Sequence, residues 1–145
     1  MKKKYMAREG SPFKGEKAQI YGECLADLTA KSNGKLIPQT ILSEAQNRSS
    51  PLHDYFDWSD TVAAKKWRIH QARDLINHIV EVVVVEGKQT KQRSFFSVHT
   101  KSEGQVYVTL KQAIGIKDYR VQLLEKLIST LENATQLMVV FKNYD

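Results

Sequence analysis

Residues 49–79 constrain the fold more than any other part of this chain, because an aromatic-rich connector runs directly into a basic, periodic helix. Pro51 disfavours helical conformation in the residue before it, so the connector does not begin as a helix. It carries more large apolar side chains than a solvated loop does, namely Leu52, Tyr55, Phe56 and Trp58. We therefore predict that residues 49–58 form a buried connector, called the aromatic clasp below.

The helix after the clasp is predicted from its cap and its apolar spacing. Ser59 or Asp60 can cap its first turn, because a short oxygen-bearing side chain accepts hydrogen bonds from free backbone N–H groups. Apolar side chains then recur at helical spacing on one face: Val62, Ile69, Ala72, Ile76 and Ile79. A different face carries a basic strip of Lys66, His70 and Arg73. Lys65 and Arg68 are expected to run their stems along the apolar face and hold their charged heads in water.

The motif SPLHDYFDW at residues 50–58, followed by two alanines, an arginine and QARDLI at 71–76, resembles a segment of uncharacterised proteins from tailed phages and prophages. The resemblance covers residues 36–85, with a short helix before the motif and strands after it. Trp67 stands where the family pattern favours a smaller aromatic residue, and the C-terminal third departs from that pattern. The resemblance implies a phage or prophage protein and no particular activity.

Hydrophobic periodicity over the whole chain predicts an α+β fold. An N-terminal helical part, residues 16–80, is followed by a small, mainly antiparallel β-sheet covered by a C-terminal helix, residues 81–145. The predicted helices are residues 16–30, 38–46, 59–80 and 118–133. The predicted strands are residues 80–85, 94–100, 105–110 and 137–144. Residues 16–145 are predicted to form one domain.

Two features near the C-terminus allow either packing within the chain or contact with a partner. Val121, Leu124, Ile128 and Leu131 have the spacing of a coiled coil, but the predicted helix of sixteen residues is short for one, so we predict that this stripe packs on the sheet. The final strand can instead complete the sheet of a neighbouring subunit. Its predicted contacts with an oligomer or partner chain are Leu137, Val139 and Phe141.

The chain is basic, with a net charge of +6 and a pI near 9.4, which favours anionic partners such as nucleic acid. Residues 1–15 combine basic side chains with Gly10, Pro12 and Gly15 and are predicted to form a flexible basic arm. Such an arm can follow phosphates, act as a solubilising tail, or order on a neighbouring virion subunit. The predicted nucleic-acid contacts are Lys2, Lys3, Lys4, Arg8, Lys66, His70, Arg73, Lys88, Lys91 and Arg93.

The chain carries no motif of an enzyme. It contains no phosphate-binding glycine loop, zinc signature or nucleophile elbow, and its single cysteine, Cys24, excludes an internal disulfide. His70, Asp74 and His78 follow one another at four-residue steps, which puts the two histidines two turns apart, too far for an easily shared metal ion. His53, between aromatic residues, is interpreted as structural. We predict no enzymatic activity, cofactor, metal site or small-molecule substrate.

Three functions are compatible with these observations. The leading prediction is a small phage-type accessory protein that binds nucleic acid. The alternatives are a virion structural or assembly protein, which docks through its arm and final strand and forms a homo-oligomer, or a modulator of a host protein. Because no apolar run approaches bilayer length and no apolar signal region follows the N-terminus, we expect no membrane partner and a location in the host cytoplasm or the virion.

Overall fold

The computed structural model of the chain describes residues 2–59 and 61–144. Its elements in chain order are β1 (Tyr5–Ala7), α1 (Glu16–Lys31), α2 (Pro38–Ala45), a 3₁₀ turn (His53–Tyr55), α3 (Val62–His78), β2 (Ile79–Val85), β3 (Lys88–Arg93), β4 (Phe95–Thr100), β5 (Gly104–Thr109), α4 (Leu110–Gly115) and α5 (Lys117–Lys142). The fold class is α+β, as predicted. The three predicted helices precede the main run of strands, and a C-terminal helix packs on strands.

The strands form two antiparallel sheets where the sequence predicted one. β1, β2 and β3 form a three-stranded sheet in that order, whereas β4 and β5 form a separate hairpin. Ser94 alone separates β3 from β4. The hairpin is joined to the helical part by a two-residue bridge, in which Leu36 and Tyr107 each donate a backbone N–H to the other's carbonyl at 2.8 Å.

The larger core lies where α1, α2, α3 and the aromatic clasp meet one face of the three-stranded sheet. Its fully buried side chains include Leu25, Ile41, Leu52, Leu75, Ile76 and Ile79. A smaller core of Val98, Val106, Val108 and Ala113 lies between the β4–β5 hairpin and α4, and Tyr119 and Leu123 of α5 pack against it. α5 therefore contacts the rest of the chain through the smaller core.

The predicted burial of the aromatic clasp holds for part of it: Leu52 and Phe56 are buried, Tyr55 and Trp58 are half-buried, and residues 49, 51, 54 and 57 are exposed. The clasp is held by hydrogen bonds. His53 Nδ1 lies 2.7 Å from the carbonyl of Ala45, and the Trp58 indole N–H donates to the carbonyl of His53 at 2.8 Å. The two rings stack with centroids 5.1 Å apart. These contacts agree with the prediction that His53 is a structural residue.

Three local predictions around α3 require correction. Val62, predicted on the apolar face, is 73% exposed. The helix cap is Thr61, whose hydroxyl accepts from the Ala64 N–H at 3.1 Å, and not Ser59, while the other predicted cap, Asp60, lies outside the described residues. Arg68 does not hold its head in water: it is buried, and its guanidinium donates to the backbone carbonyls of Asp57 and Ser59 at the end of the clasp. Thr61 caps the helix in place of Ser59 because α3 begins at Val62, the residue directly after Thr61.

The prediction of a flexible arm over residues 1–15 is wrong for much of that segment. Tyr5 is buried against Gly22 of α1, and its backbone N–H donates to the side chain of Gln19 at 2.8 Å. β1 pairs with β2, so that the Val82 N–H donates to the Lys4 carbonyl at 3.0 Å. Phe13 lies edge-on to Tyr21 in the larger core. Burial of Tyr5 and Phe13 fixes a segment whose composition alone indicates a loop.

The predicted final strand over residues 137–144 is also wrong, because α5 continues to Lys142. No glycine or proline interrupts residues 117–142, so an established helix extends at the low cost of adding one residue at a time. Val139 and Val140 favour strands, but the preference of two branched residues is a few tenths of a kcal/mol each and is outweighed by that propagation. α5 is therefore a single 26-residue helix.

Candidate interaction surfaces

Within the described residues, the rest of the chain holds only the first three turns of α5. Tyr119, Gln122 and Leu123 are half-buried. The Gln122 amide accepts from the backbone N–H of His99 at 2.8 Å and donates to its carbonyl at 3.0 Å. The Lys126 ammonium donates to the Ser97 carbonyl at 2.7 Å. From Leu124 to Tyr144, every residue is exposed.

The exposed part of α5 carries a continuous apolar seam. Its members, called the α5 seam below, alternate at steps of three and four residues: Leu124, Leu127, Leu131, Ala134, Met138 and Phe141. Leu131 is 67% exposed, and Met138 and Phe141 are each 71% exposed. The prediction that the stripe of Val121, Leu124, Ile128 and Leu131 packs on the sheet is therefore wrong, because all four side chains are exposed. Tyr119 and Leu123 pack there instead.

Simple lengths explain why the sheet does not cover this helix. β4 and β5 have six residues each, so the hairpin is about 20 Å long at the usual strand rise. α5 has 26 residues and is about 39 Å long at the helical rise. The seam could have been found in the sequence, because its spacing continues past Leu131 to Met138 and Phe141.

The three residues predicted as partner contacts lie in the exposed part of α5. Leu137 and Phe141 are one helical turn apart and share a face, whereas Val139 points elsewhere. On a strand all three would have pointed to one side. The last turns of α5 are apolar on nearly every side, which is unusual for a helix that faces water.

Strand register brings three of the ten predicted nucleic-acid contacts to one sheet face. Val82 of the central strand β2 pairs with Lys91 of β3. On its other edge, its backbone N–H donates to the carbonyl of Lys4. Val80 pairs with Arg93, and directly paired residues point to the same side of a sheet. Lys4, Lys91 and Arg93 are all exposed, and we call them the basic face.

The other predicted basic contacts lie elsewhere or are already paired. The Lys2 ammonium lies 2.9 Å from a Glu23 carboxylate oxygen, and the Lys3 ammonium lies 3.1 Å from an oxygen of the buried Glu81 carboxylate. Lys88 pairs with Val85 and so points to the opposite side of the sheet, and Arg8 follows β1. These residues are less suited to phosphate than the basic face is.

The predicted strip of Lys66, His70 and Arg73 is exposed, but it lies on α3 and not on the sheet. Trp67 is 54% exposed beside it, with its ring centroid 6.2 Å from that of His70. Sequence reasoning placed the strip correctly on a solvent face. The sequence could not show that β3 would pair with β2, so that its basic side chains share a face with Lys4 and not with this helix.

A groove of 390 Å³ between α1, the clasp and α3 has acidic side chains in its wall. Asp54, Asp74 and His78 line it with Tyr21 and Tyr55. Burial, reinforced by the charge of Asp74, raises the pKa of Tyr55 to about 12, so this phenol stays protonated at neutral pH. Within residues 2–59 and 61–144, no three histidine, cysteine or carboxylate side chains lie close enough to hold a metal ion.

Cys24 is poorly suited to nucleophilic chemistry. Burial raises the pKa of its thiol to about 11, and the nearby Glu44 carboxylate reinforces that shift. The reactive thiolate is therefore scarce at neutral pH. Cys24 is partly buried and packs against the larger core.

Comparison with known proteins adds no relative. No protein-family model matches the chain, and neither curated proteins nor solved structures give a match. Among the helices of the described residues, none has the length and apolar character needed to cross a bilayer.

Proposed function

We propose that this chain is a non-enzymatic assembly protein, of the kind encoded by tailed phages or prophages, which docks on another protein chain through α5. The observation that carries this proposal is the exposure of the whole helix from Leu124 to Tyr144. A helix with apolar side chains on most sides is normally buried. The predicted docking of an arm and a terminal strand is replaced by docking of a helix.

The size of the apolar surface supports the same conclusion. Ten large apolar side chains beyond Leu123 are more than half exposed: Leu124, Leu127, Ile128, Leu131, Leu137, Met138, Val139, Val140, Phe141 and Tyr144. At about 100 Å² for a whole side chain of this kind, they present roughly 600 Å² to solvent. This area approaches the roughly 800 Å² that each partner buries in a standard interface and reaches the upper end for patches on monomers.

A charge placed in the α5 seam should abolish assembly. We expect the wild-type chain, in a lysate of its natural source, to sediment in a complex heavier than its own 16.6 kDa and the Leu131→Glu variant to sediment as the free chain. Burying one unpaired carboxylate in an apolar interface costs several kcal/mol, which is at least a hundredfold in affinity.

The matched control is Ser129→Glu, which adds the same charge on the polar side of the same helix, between Lys126 and Glu132. It should sediment like the wild type. Circular dichroism should show the same helix content in all three proteins, because residue 131 is exposed. A wild-type chain that sediments alone at 16.6 kDa would contradict the assembly proposal.

Nucleic-acid binding is a second candidate function, and the basic face favours it. Lys4, Lys91 and Arg93 flank the half-buried residues Met6, Val80 and Val82 on an exposed sheet face. Lys91 and Arg93 could also have a structural role instead of binding nucleic acid. They lie on the edge strand β3, where charged side chains prevent unwanted strand pairing. Binding measurements can separate these two roles.

Charge reversal on the basic face should weaken nucleic-acid binding more than the same reversal elsewhere. For the Lys91→Glu/Arg93→Glu variant we expect at least tenfold weaker binding to labelled DNA and a log–log salt slope smaller in magnitude by about 2, since each lost phosphate contact changes it by about 0.9. The control is Lys101→Glu/Lys111→Glu, which has the same net charge. Equal losses in both variants would mean that net charge alone matters, and absence of wild-type binding at physiological salt would exclude this function.

A further inference from the structure

We propose that the occupant of the α5 seam is a second copy of this chain, and that two α5 helices pair antiparallel along residues 124–141. The inference rests on the proposed assembly function and specifies its partner. It follows from the charges, the side-chain sizes and the position of the folded part along the helix.

The charges of the helix suit pairing with an identical seam. The positions beside the α5 seam are Ile128, Thr130, Thr135, Leu137 and Lys142, of which Lys142 alone is charged. It stands at the end of the seam, so antiparallel pairing places the two copies of Lys142 at opposite ends. In coiled coils these flanking positions select a partner through ion pairs, and like charges there oppose self-pairing. The charged residues between Leu124 and Phe141 are Glu125, Lys126 and Glu132, and all lie on the opposite side of the helix. Two identical seams therefore meet without repulsion.

Side-chain sizes favour the antiparallel arrangement. When the helices run in opposite directions, Leu124 faces Phe141, Leu127 faces Met138, and Leu131 faces Ala134, so the smallest residue meets a large one. When they run in the same direction, each residue meets its own copy. Ala134 then leaves a void against Ala134, while Phe141 crowds Phe141, and both faults destabilise a core. The antiparallel seam fills its layers more evenly.

The position of the two sheets and the other helices along α5 also favours the antiparallel arrangement. The two sheets and the other helices lie at the N-terminal end of α5, where Tyr119 and Leu123 pack. Parallel helices would place two copies of this basic body, each part of a chain of net charge +6, side by side. Antiparallel helices separate them by about 27 Å along the 18-residue seam. At that distance the repulsion is largely screened at physiological salt, where the Debye length is about 8 Å.

The buried area fits a weak dimer. The large side chains on or beside the seam are Leu124, Leu127, Ile128, Leu131, Leu137, Met138 and Phe141. At about 100 Å² for a whole side chain they present roughly 430 Å² on each copy, so the pair buries roughly 860 Å², within the range of weak, transient interfaces. This area predicts a dimer that dissociates on dilution. A concentration series is therefore the suitable measurement.

The first test is the mass of the purified full chain by sedimentation equilibrium over a concentration series. We expect twice the chain mass of 16.6 kDa at high concentration, at least a hundredfold weaker association for Leu131→Glu, and wild-type behaviour for Ser129→Glu. A purified chain that stays monomeric at every concentration overturns the second-copy proposal, even if it binds another protein or a lipid vesicle. The assembly function still stands if that chain enters a complex in lysate. If it enters none, the second-copy proposal and the assembly function both fail. A defined particle of more than two copies overturns the paired arrangement.

The second test fixes the orientation by disulfide cross-linking. Cys24 is first replaced in a Cys24→Ala background, which removes the one native thiol of the chain. Leu131→Cys and Ala134→Cys are then added to separate proteins. Antiparallel pairing predicts that oxidation cross-links the mixture of the two variants and neither variant alone, because residue 131 faces residue 134 of the other copy. Cross-linking of each variant with itself would show parallel helices and overturn the antiparallel assignment.

Discussion

Replacing Arg68 with leucine is expected to lower the free energy of unfolding by about 3 kcal/mol. The Arg68 Nε donates to the Asp57 carbonyl at 2.6 Å, and a terminal nitrogen donates to the Ser59 carbonyl. The guanidinium carbon also lies 5.0 Å from the centre of the Trp58 ring. Leucine would leave both carbonyls without this donor and would remove the contact that holds the end of the aromatic clasp.

The control is Lys65→Leu, three residues earlier on the same helix and exposed. This change should alter the free energy of unfolding by less than about 0.5 kcal/mol, the usual range for surface positions. Arg68→Lys should lie between the two, because lysine keeps the charge but lacks the planar fork that reaches two carbonyls. Urea denaturation followed by circular dichroism measures all three. Equal losses for Arg68→Leu and Lys65→Leu would mean that Arg68 does not fasten the clasp.

For the Gly22→Ala variant we expect a loss of about 2 kcal/mol, where an open helical site would instead gain up to about 1 kcal/mol from the same change. A Cβ at position 22 would fall against the Cβ and ring carbons of Tyr5. Tyr5 is buried and β1 is paired with β2, so its ring has little room to withdraw. A lower free energy of unfolding in Gly22→Ala would therefore show that β1 is docked on α1, and a higher one would show that it is not.

The matched experiment repeats this substitution in a Tyr5→Ala background. Without the aromatic ring, Gly22→Ala should become stabilising, since only the helical preference of alanine remains. Thermal and urea unfolding of the four proteins give the coupling free energy. A stabilising effect of Gly22→Ala in the otherwise unchanged chain would support the flexible arm predicted from the sequence.

The elements predicted successfully are those whose signal is local. α1, α2 and α3 each bury one face, and a buried helical face leaves a repeat of three and four residues in the sequence. The valines of β2 and the alternation in β5 mark strands in the same direct way. The buried clasp was visible because four large apolar side chains occur together in a connector.

The missed elements depend on contacts between distant parts of the chain. β1 has three residues, too few for a periodic signal, and is a strand because it pairs with Ile79 to Glu81 far along the chain. The apolar run at the end of α5 is ambiguous, because a short run of this kind suits a buried strand or a buried helix equally. The basic face required the register of three strands, and the role of Arg68 required the position of two carbonyls.

The pairing of β1 with β2 also sets an order of folding during synthesis. β1 leaves the ribosome first, but its partner strand follows only after α1, the clasp and α3 have been made. Tyr5 can rest on Gly22 before then, whereas the backbone of residues 4–7 must keep its hydrogen bonds to water. Closing so long a stretch of chain is slow compared with helix formation. A nascent chain that stalls before Val85 therefore carries β1 without its complete partner strand, and unpaired strand segments of this kind are prone to aggregation.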